Sequence, residues 1–297
     1  MGIPRGAPAP EGAGLIAERV LELYPPRERS SSKFQSGVVV VVGGSMGLTG
    51  APAMAALSAA RSGAGYVQVA VPGSVQPAMD MRLLEQMSRG LPDDDGAHTP
   101  DGLEVVEEMA ERAGAVVLGP GIGRSDGASE FARRVAQAVK IPLLIDADGL
   151  NAHAEALESL AGREAPTVLT PHAGELGRLL GVDSEEVERR RLRHVREAAE
   201  RSGAVVLLKG DDTLVAAPGG PVAVSSGGTP ALATAGTGDV LSGLIGALLA
   251  KGLGPFEAAA LGTLAHARAG RAAAGRHGVD HVIAGDVIEA LPAGLHE

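Results

Sequence analysis

Thr234-Ala-Gly-Thr-Gly-Asp239, followed by the apolar run 240–250, sets a glycine-rich turn directly before a helix, with an aspartate at the junction. The first N–H groups of a helix have no partner inside it, and the helix dipole puts partial positive charge there, so such a junction accepts anions. Gly236 and Gly238 let the backbone close on a phosphate. A carboxylate beside an anion site repels the ligand the site attracts. The conflict resolves if Asp239 takes a proton from a hydroxyl while the N–H groups of the turn hold the phosphoryl group that this hydroxyl attacks. The plain alternative is an aspartate that caps the helix.

Further candidates recur along the chain. Lys209 precedes Gly210, Asp211, Asp212 and Thr213. A lysine at a strand end can pair with phosphate or stand on the surface beside a turn, whereas the two acids suit ribose, metal or water. His172 follows Pro171, and Glu175 lies one turn on. This is either a helix start with a surface histidine or a carboxylate placed to hold Mg²⁺ through water. Asp146 and Asp148 are similar candidates, or caps of the following helix. Gly119-Pro-Gly-Ile-Gly123 is a tight turn or a ligand contact. Gly43-Gly-Ser-Met-Gly47 matches the Gly-x-Ser-x-Gly elbow of α/β-hydrolases, but that elbow needs an upstream strand and loop, and here it follows the first expected strand. A glycine-rich turn for ligand phosphate or amide contact fits better. Neither a Gly-x-Gly-x-x-Gly after an early strand nor a P-loop is present.

The elements that must position these residues alternate. Strands are expected at 37–42, 66–71, 115–118, 142–145, 167–169 and 204–208, with a hairpin at 214–217 and 222–225. Helices are expected at 52–62, 75–85, 102–112, 128–139, after the strand-end motif 146–151 to about 161, as one charged helix at 184–202 whose run 185–193 faces solvent, at 240–250 and at 256–270. A soft loop covers 92–100. The alternation implies an α/β fold, a mostly parallel central sheet flanked by helices on both faces. Because ligands of such sheets bind beyond the carboxyl ends of the strands, the polar motifs should converge on one edge. Residues 1–35, with a short helical pattern at 14–23, read as an arm packed outside, and 36–297 as a single domain.

Composition narrows the function. The 297 residues are 45% hydrophobic but only 2% aromatic, so the core is built from Ala, Val, Leu and Ile. A formal charge of −10 with so few aromatics speaks against nucleic-acid binding. Without cysteine there is no disulfide or thiolate metal site. No apolar run approaches a membrane span, and no basic-then-apolar leader opens the chain, so a cytoplasmic protein is expected.

Taken together and in order, Gly43-Gly-Ser-Met-Gly-Leu-Thr-Gly-Ala-Pro52, Gly119-Pro-Gly121, Asp146-Ala-Asp148, Thr170-Pro-His-Ala-Gly-Glu175, Leu208-Lys-Gly210 and Ala235-Gly-Thr-Gly-Asp239 resemble the ADP- or ATP-dependent NAD(P)H-hydrate dehydratases of the ribokinase-like superfamily. The resemblance covers about residues 38–291. It implies repair of NADH or NADPH hydrated at C6 of the nicotinamide ring: the ring hydroxyl is phosphorylated, then phosphate is eliminated. It further implies Asp239 as the base, Gly236, Thr237 and Gly238 around the transferred phosphate, Ala51, Gly121, His172 and Asp239 at the hydrated dinucleotide, and Lys209, Gly210, Asp211, Asp212, Thr213 and Gly238 at the nucleotide. The implied cofactors are Mg²⁺ and a phosphoryl donor, ADP or ATP; bacterial members typically use ADP and the Gly-, Ala- and Arg-rich chain looks bacterial, so ADP is expected. The implied assembly is a homo-oligomer, commonly a tetramer. Three positions depart from the family: Leu48 where an aromatic is common, Ala173 where proline is usual, and Asp211-Asp212 where small residues are frequent. Many bacterial relatives carry a fused epimerase ahead of this region, and with about 35 residues before the first strand none is expected here. The alternatives are a ribokinase-like kinase of a small vitamin precursor, which shares Gly-Thr-Gly-Asp, and a nucleotide sensor.

Overall fold

The computed structural model describes residues 13–225 and 227–296; the start of the expected arm, 1–12, lies outside the described residues. Among the described residues ten strands make one sheet: β1 (Gly14–Leu15), β2 (Val38–Val42), β3 (Tyr66–Pro72), β4 (Met87–Leu91), β7 (Ala115–Leu118), β8 (Leu143–Ile145), β9 (Thr167–Leu169), β10 (Val205–Leu208), β11 (Leu214–Ala216) and β12 (Val222–Val224), while β5 (Asp93–Asp94) and β6 (Ala97–His98) form a small hairpin. Across the sheet the order is β1-β12-β11-β10-β9-β8-β7-β2-β3-β4. All neighbours are parallel except β11, which runs against β10 and β12. The five valines of β2 are buried on both faces, as a strand covered by helices on either side requires.

The helices are α1 (Gly50–Arg61), α2 (Gln76–Asp80), α3 (Leu103–Ala110), α4 (Asp126–Ala138), α5 (Ala147–Asn151), α6 (Ala173–Leu180), α7 (Ser184–Arg189), α8 (Arg191–Ser202), α9 (Thr237–Ala250), α10 (Pro255–His277) and α11 (Ala284–Leu295). One apolar core joins α1, α9, α10 and α11 to one face of the sheet, and a second joins α3, α4, α6 and α8 to the other. With so few aromatics, the helices approach closely over small residues. Gly243 of α9 rests on the Ala55 backbone of α1, where a Cβ would collide.

Several expectations are corrected. The helix expected at 75–85 is only α2, and Met87–Leu91 is a strand rather than the approach to a loop. The expected loop 92–100 holds the β5–β6 hairpin. The helix expected after 146–151 to about 161 is only a 3₁₀ turn, Leu157–Leu160, while the motif before it forms the short helix α5. The single charged helix 184–202 breaks at Arg190, whose φ of −135° and ψ of 43° are not helical. At 14–23 the pattern is split between β1, which pairs with β12, and a 3₁₀ segment, Glu18–Leu23, against α10. α10 runs past its expected end, and α11 was not anticipated.

Candidate active site at the carboxyl ends of the strands

From β2 the chain moves outward through β3 and β4, then returns to the other side of β2 and moves outward again through β7, β8, β9 and β10. The switch point, where open α/β sheets leave a crevice, therefore lies between the ends of β2 and β7. The loops that follow these strands interlock: Gly44 N–H donates to the Pro120 carbonyl at 2.9 Å, and Ser45 Oγ donates to the Gly121 carbonyl at 3.0 Å. This brings together two residues named from the sequence, since the Cβ position of Gly121 lies 3.3 Å from the Ala51 Cβ in the first turn of α1. His98, stacked on Phe131 with ring centroids 4.9 Å apart, sets its Nε2 3.0 Å from the Gly43 carbonyl. Burial lowers its pKa to about 4, so it braces the turn as a neutral ring. Ser45 is buried and its hydroxyl is bonded within the loop pair, so the hydrolase elbow is a structural turn.

Beyond β8, β9 and β10 a charged cluster forms. Lys209 Nζ lies 2.9 Å from Asp146 Oδ1 and 3.7 Å from Glu175 Oε2, with its side chain 22% exposed. Asp146 stands at the N-cap position of α5 but makes no side-chain cap. Its second oxygen accepts Ser242 Oγ at 2.7 Å, so of the two readings open for Asp146 the cap is wrong. Burial alone would raise the Asp146 carboxyl, but the Lys209 ammonium and the Ser242 and Thr170 hydroxyls outweigh it and hold the group below the ordinary aspartate range. Glu175 moves the other way: burial raises its pKa and Lys209 only partly opposes this. Lys209 is mostly buried, a charge that burial disfavours, yet its two carboxylates keep its pKa above normal. Asp148 lies apart from this cluster, paired with Arg124 at 2.6 Å.

The first turn of α9 faces the cluster. Gly236 occupies the N-cap with φ of 90°, a left-handed conformation that suits glycine, and a Cβ there would collide with the Met54 sulfur. No side chain caps this helix. Thr237 is buried, with Oγ1 2.7 Å from the Leu232 carbonyl and 2.9 Å from that of Thr234, which fixes the turn. Half-buried Asp239 has its pKa raised to about 7, chiefly by burial and then by the Asp146 and Glu175 carboxylates, against the pull of Lys209. A carboxylate poised there can accept a proton near neutral pH.

Against this turn, with Thr237 and Gly238 in its wall, lies a cavity of about 430 Å³. Lys209, Gly210, Asp211, Thr213 and Gly238 line it, together with Leu241 and His266. Of the residues named from the sequence for a nucleotide, Asp212 alone is missing from the wall; its carbonyl turns to Arg191. His172 caps α6: its Nδ1 accepts Gly174 N–H at 3.0 Å and Glu175 N–H at 3.3 Å, while Glu175 Oε2 accepts the His172 N–H at 2.9 Å. Both members of that pair thus serve the helix start, with the His172 ring half exposed at the same edge. Burial, then Lys209 and Arg178, keep its pKa below the usual value. Ser242, Arg191 and His266 were missed. Ser242 was within reach of the sequence, for it lies three residues after Asp239 on the same helix face.

A mostly parallel sheet with an uncapped, glycine-led helix opposite a buried lysine and an aspartate of neutral pKa defines a ribokinase-like protein. A solved ADP/ATP-dependent NAD(P)H-hydrate dehydratase from Bacillus subtilis, co-crystallised with ATP and Mg²⁺, superposes with a TM-score of 0.81 at 27% identity over 96% of this chain and 98% of that one. The family model described as NAD(P)H-hydrate dehydratase matches residues 39–293, and the chain belongs to that family. It is 44% identical over 225 residues to the bifunctional NAD(P)H-hydrate repair enzyme of Salinibacter ruber, covering 73% of this chain and 41% of that protein. It is 33% identical over 209 residues to the ADP-dependent (S)-NAD(P)H-hydrate dehydratase of Xanthomonas campestris pv. campestris, covering 70% and 71%. The chain spans about two fifths of the length of the bifunctional relatives it matches.

Proposed function

We propose that the chain dehydrates C6-hydrated NADH and NADPH at the expense of ADP or ATP, as a lyase of metabolite repair. The observation that carries this reading is that one turn of α9 touches two sites: Gly236 leans on Met54 of α1, one turn beyond Ala51, while Gly238 lies by Lys209 and lines the cavity. We assign the cavity to the nucleotide and the β2–β7 switch point to the hydrated ring. From the end of β7 to that of β9, where Gly121 and His172 stand, the sheet spans two strand spacings, about 10 Å. That distance suits an extended dinucleotide better than a small vitamin precursor.

Asp239 takes the proton of the ring hydroxyl as its oxygen bonds to the terminal phosphorus and the bond from that phosphorus to the rest of the nucleotide breaks. The free N–H groups of Thr237, Gly238 and Asp239 hold the oxygens of the transferred group. Phosphate then leaves C6, expelled by the lone pair of the ring nitrogen, and loss of a proton from the neighbouring carbon restores the dihydropyridine. Phosphate leaves where hydroxide would not at neutral pH.

The site also fits a hydrated Mg²⁺. Among the described residues no group of three His, Asp or Glu side chains could hold a metal alone, so water and phosphates must complete the coordination. Asp146, Glu175 and Asp239 nevertheless face a single ammonium, an excess of negative charge beside the cavity. Glu175 would hold the ion through water, and the ion would supply charge neutralisation at the phosphates. We take 36–297 as one catalytic domain with an N-terminal arm, acting in the cytoplasm as a homo-oligomer.

The test is incubation of the full chain with hydrated NADH, Mg²⁺ and ADP or ATP, following the return of reduced-nicotinamide absorbance. Recovery that requires a nucleotide and vanishes in Asp239→Asn is expected. No recovery with either nucleotide, from folded protein that binds them, overturns the reading.

A further inference from the structure

The break between α7 and α8 places Arg191 at the first position of α8, with its side chain 20% exposed although the run around it was expected to face solvent. Its Nη1 donates to Glu188 at 2.9 Å, and its Nη2 lies 3.3, 3.1 and 3.1 Å from the carbonyl oxygens of Leu208, Lys209 and Asp212. One guanidinium thus gathers the backbone on both sides of Gly210 and Asp211. In a planar trans peptide the C=O and N–H point in opposite directions. Turning the carbonyls of Lys209 and Asp212 toward Arg191 therefore turns the N–H groups of Gly210 and Thr213 away from it, and both residues line the cavity. The N–H of Lys209 is already bonded, donating to the Pro171 carbonyl at 2.8 Å. A Cβ on Gly210 would collide with the guanidinium, so this glycine is what lets Arg191 close on the loop.

We propose that Arg191 is the positioning residue of the nucleotide loop: by holding three carbonyls of residues 208–212 it presents the N–H groups of Gly210 and Thr213 to the oxygen atoms of a bound nucleotide. The inference rests on the assignment of the cavity to ADP or ATP. It requires the planar fork of arginine and not merely its charge, which Glu188 already offsets.

Calorimetric titration of the full chain with ADP and with ATP, alongside steady-state kinetics, tests it in Arg191→Ala, Arg191→Lys and Gly210→Ala. All three should bind nucleotide about tenfold more weakly or worse, with a matching rise in KM for the nucleotide. The KM for hydrated NADH and the kcat at saturating nucleotide should move by less than about threefold. Nucleotide affinity of Arg191→Lys equal to that of the unaltered chain would overturn the proposal, because charge alone would then suffice. A fall in kcat at unchanged nucleotide KM would overturn it as well. Should Arg191→Ala fail to fold, Glu188→Ala, which removes only the Nη1 partner, is expected to weaken nucleotide binding by a smaller factor; unaltered binding there and in Arg191→Lys sinks the idea. If the unaltered chain binds neither nucleotide, it is the cavity assignment that fails.

Discussion

Two helices begin side by side at the functional edge and treat their first N–H groups in opposite ways. At α6, His172 and Glu175 close the start with a reciprocal pair of side-chain bonds. At α9, Gly236 offers no side chain and the turn is left open. Both helices bring a carboxylate at the third helical position, Glu175 and Asp239, to the same lysine. The closed start consumes its donors to fix a histidine and a glutamate in place. On the proposed reading the open start, which has no side-chain cap, keeps its donors for a ligand and carries an aspartate whose ionisation the fold opposes. Local stability and ligand capacity are thus divided between neighbours of similar build.

The largest effect should come from Asp239→Asn, which lowers turnover by about a thousandfold while leaving the turn intact. The same change should stabilise the protein in a pH-dependent way. Asp239 has a folded pKa of about 7 against an ordinary 3.8, so its penalty is absent below 3.8, grows as pH rises, and is complete above 7. Thermal unfolding should therefore show a larger gain for the variant at pH 8 than at pH 5; equal gains would mean that the carboxylate is not opposed by the fold.

Lys209→Met comes next, with about a hundredfold loss of activity and about 3–5 kcal/mol of stability, because Asp146 is left buried without its partner. Removing the ammonium also raises the pKa of Asp239 further, so a rising limb of the kcat/KM profile set by Asp239, expected near pH 7 in the unaltered protein, should move to higher pH. A limb that stays put would assign that titration elsewhere.

Gly236→Ala places a Cβ against Met54 in a left-handed conformation and should cost about 1–3 kcal/mol, with activity falling in step as the turn closes. Met54→Ala should relieve the collision but not the backbone strain. His172→Ala should matter least to stability, about 1 kcal/mol for the lost cap. The cap needs Nδ1 unprotonated, and the folded pKa of His172 lies below 6.5, so the cap is whole above pH 6.5 and fails as pH falls through the folded value. The difference between variant and unaltered chain should accordingly fade toward pH 5. A His172→Ala defect in turnover as deep as that of Asp239→Asn would end the division of roles between the two helix starts.

Much of the frame could be read from the residues because its signals are local. β-branched runs marked β2, β7, β9 and β10, and the motif at each strand end named the positions that meet at the edge. What escaped was tertiary. β4 (Met87-Ser-Arg-Gly-Leu91) lacks β-branched residues and is a strand because β3 offers it a partner at the sheet edge. The break at Arg190 has no proline or glycine to announce it; the residue after it bonds the loop beyond β10 instead. The roles of Asp146 and Lys209, 63 residues apart, were legible as candidates, but nothing in the chain order says that each is the other's counter-ion. Ser242, one turn after Asp239 in an otherwise apolar run, completes that group by its bond to Asp146.

The members of the charged cluster come from segments that follow three adjacent strands, β8, β9 and β10. A slip of any one strand by a residue would turn its side chains to the opposite face and leave a buried lysine without its acids. On that argument the cluster would check assembly as well as form the proposed site. During refolding, helical signal should return early, while activity should appear only with the last, slow zipping of these non-local parallel pairs.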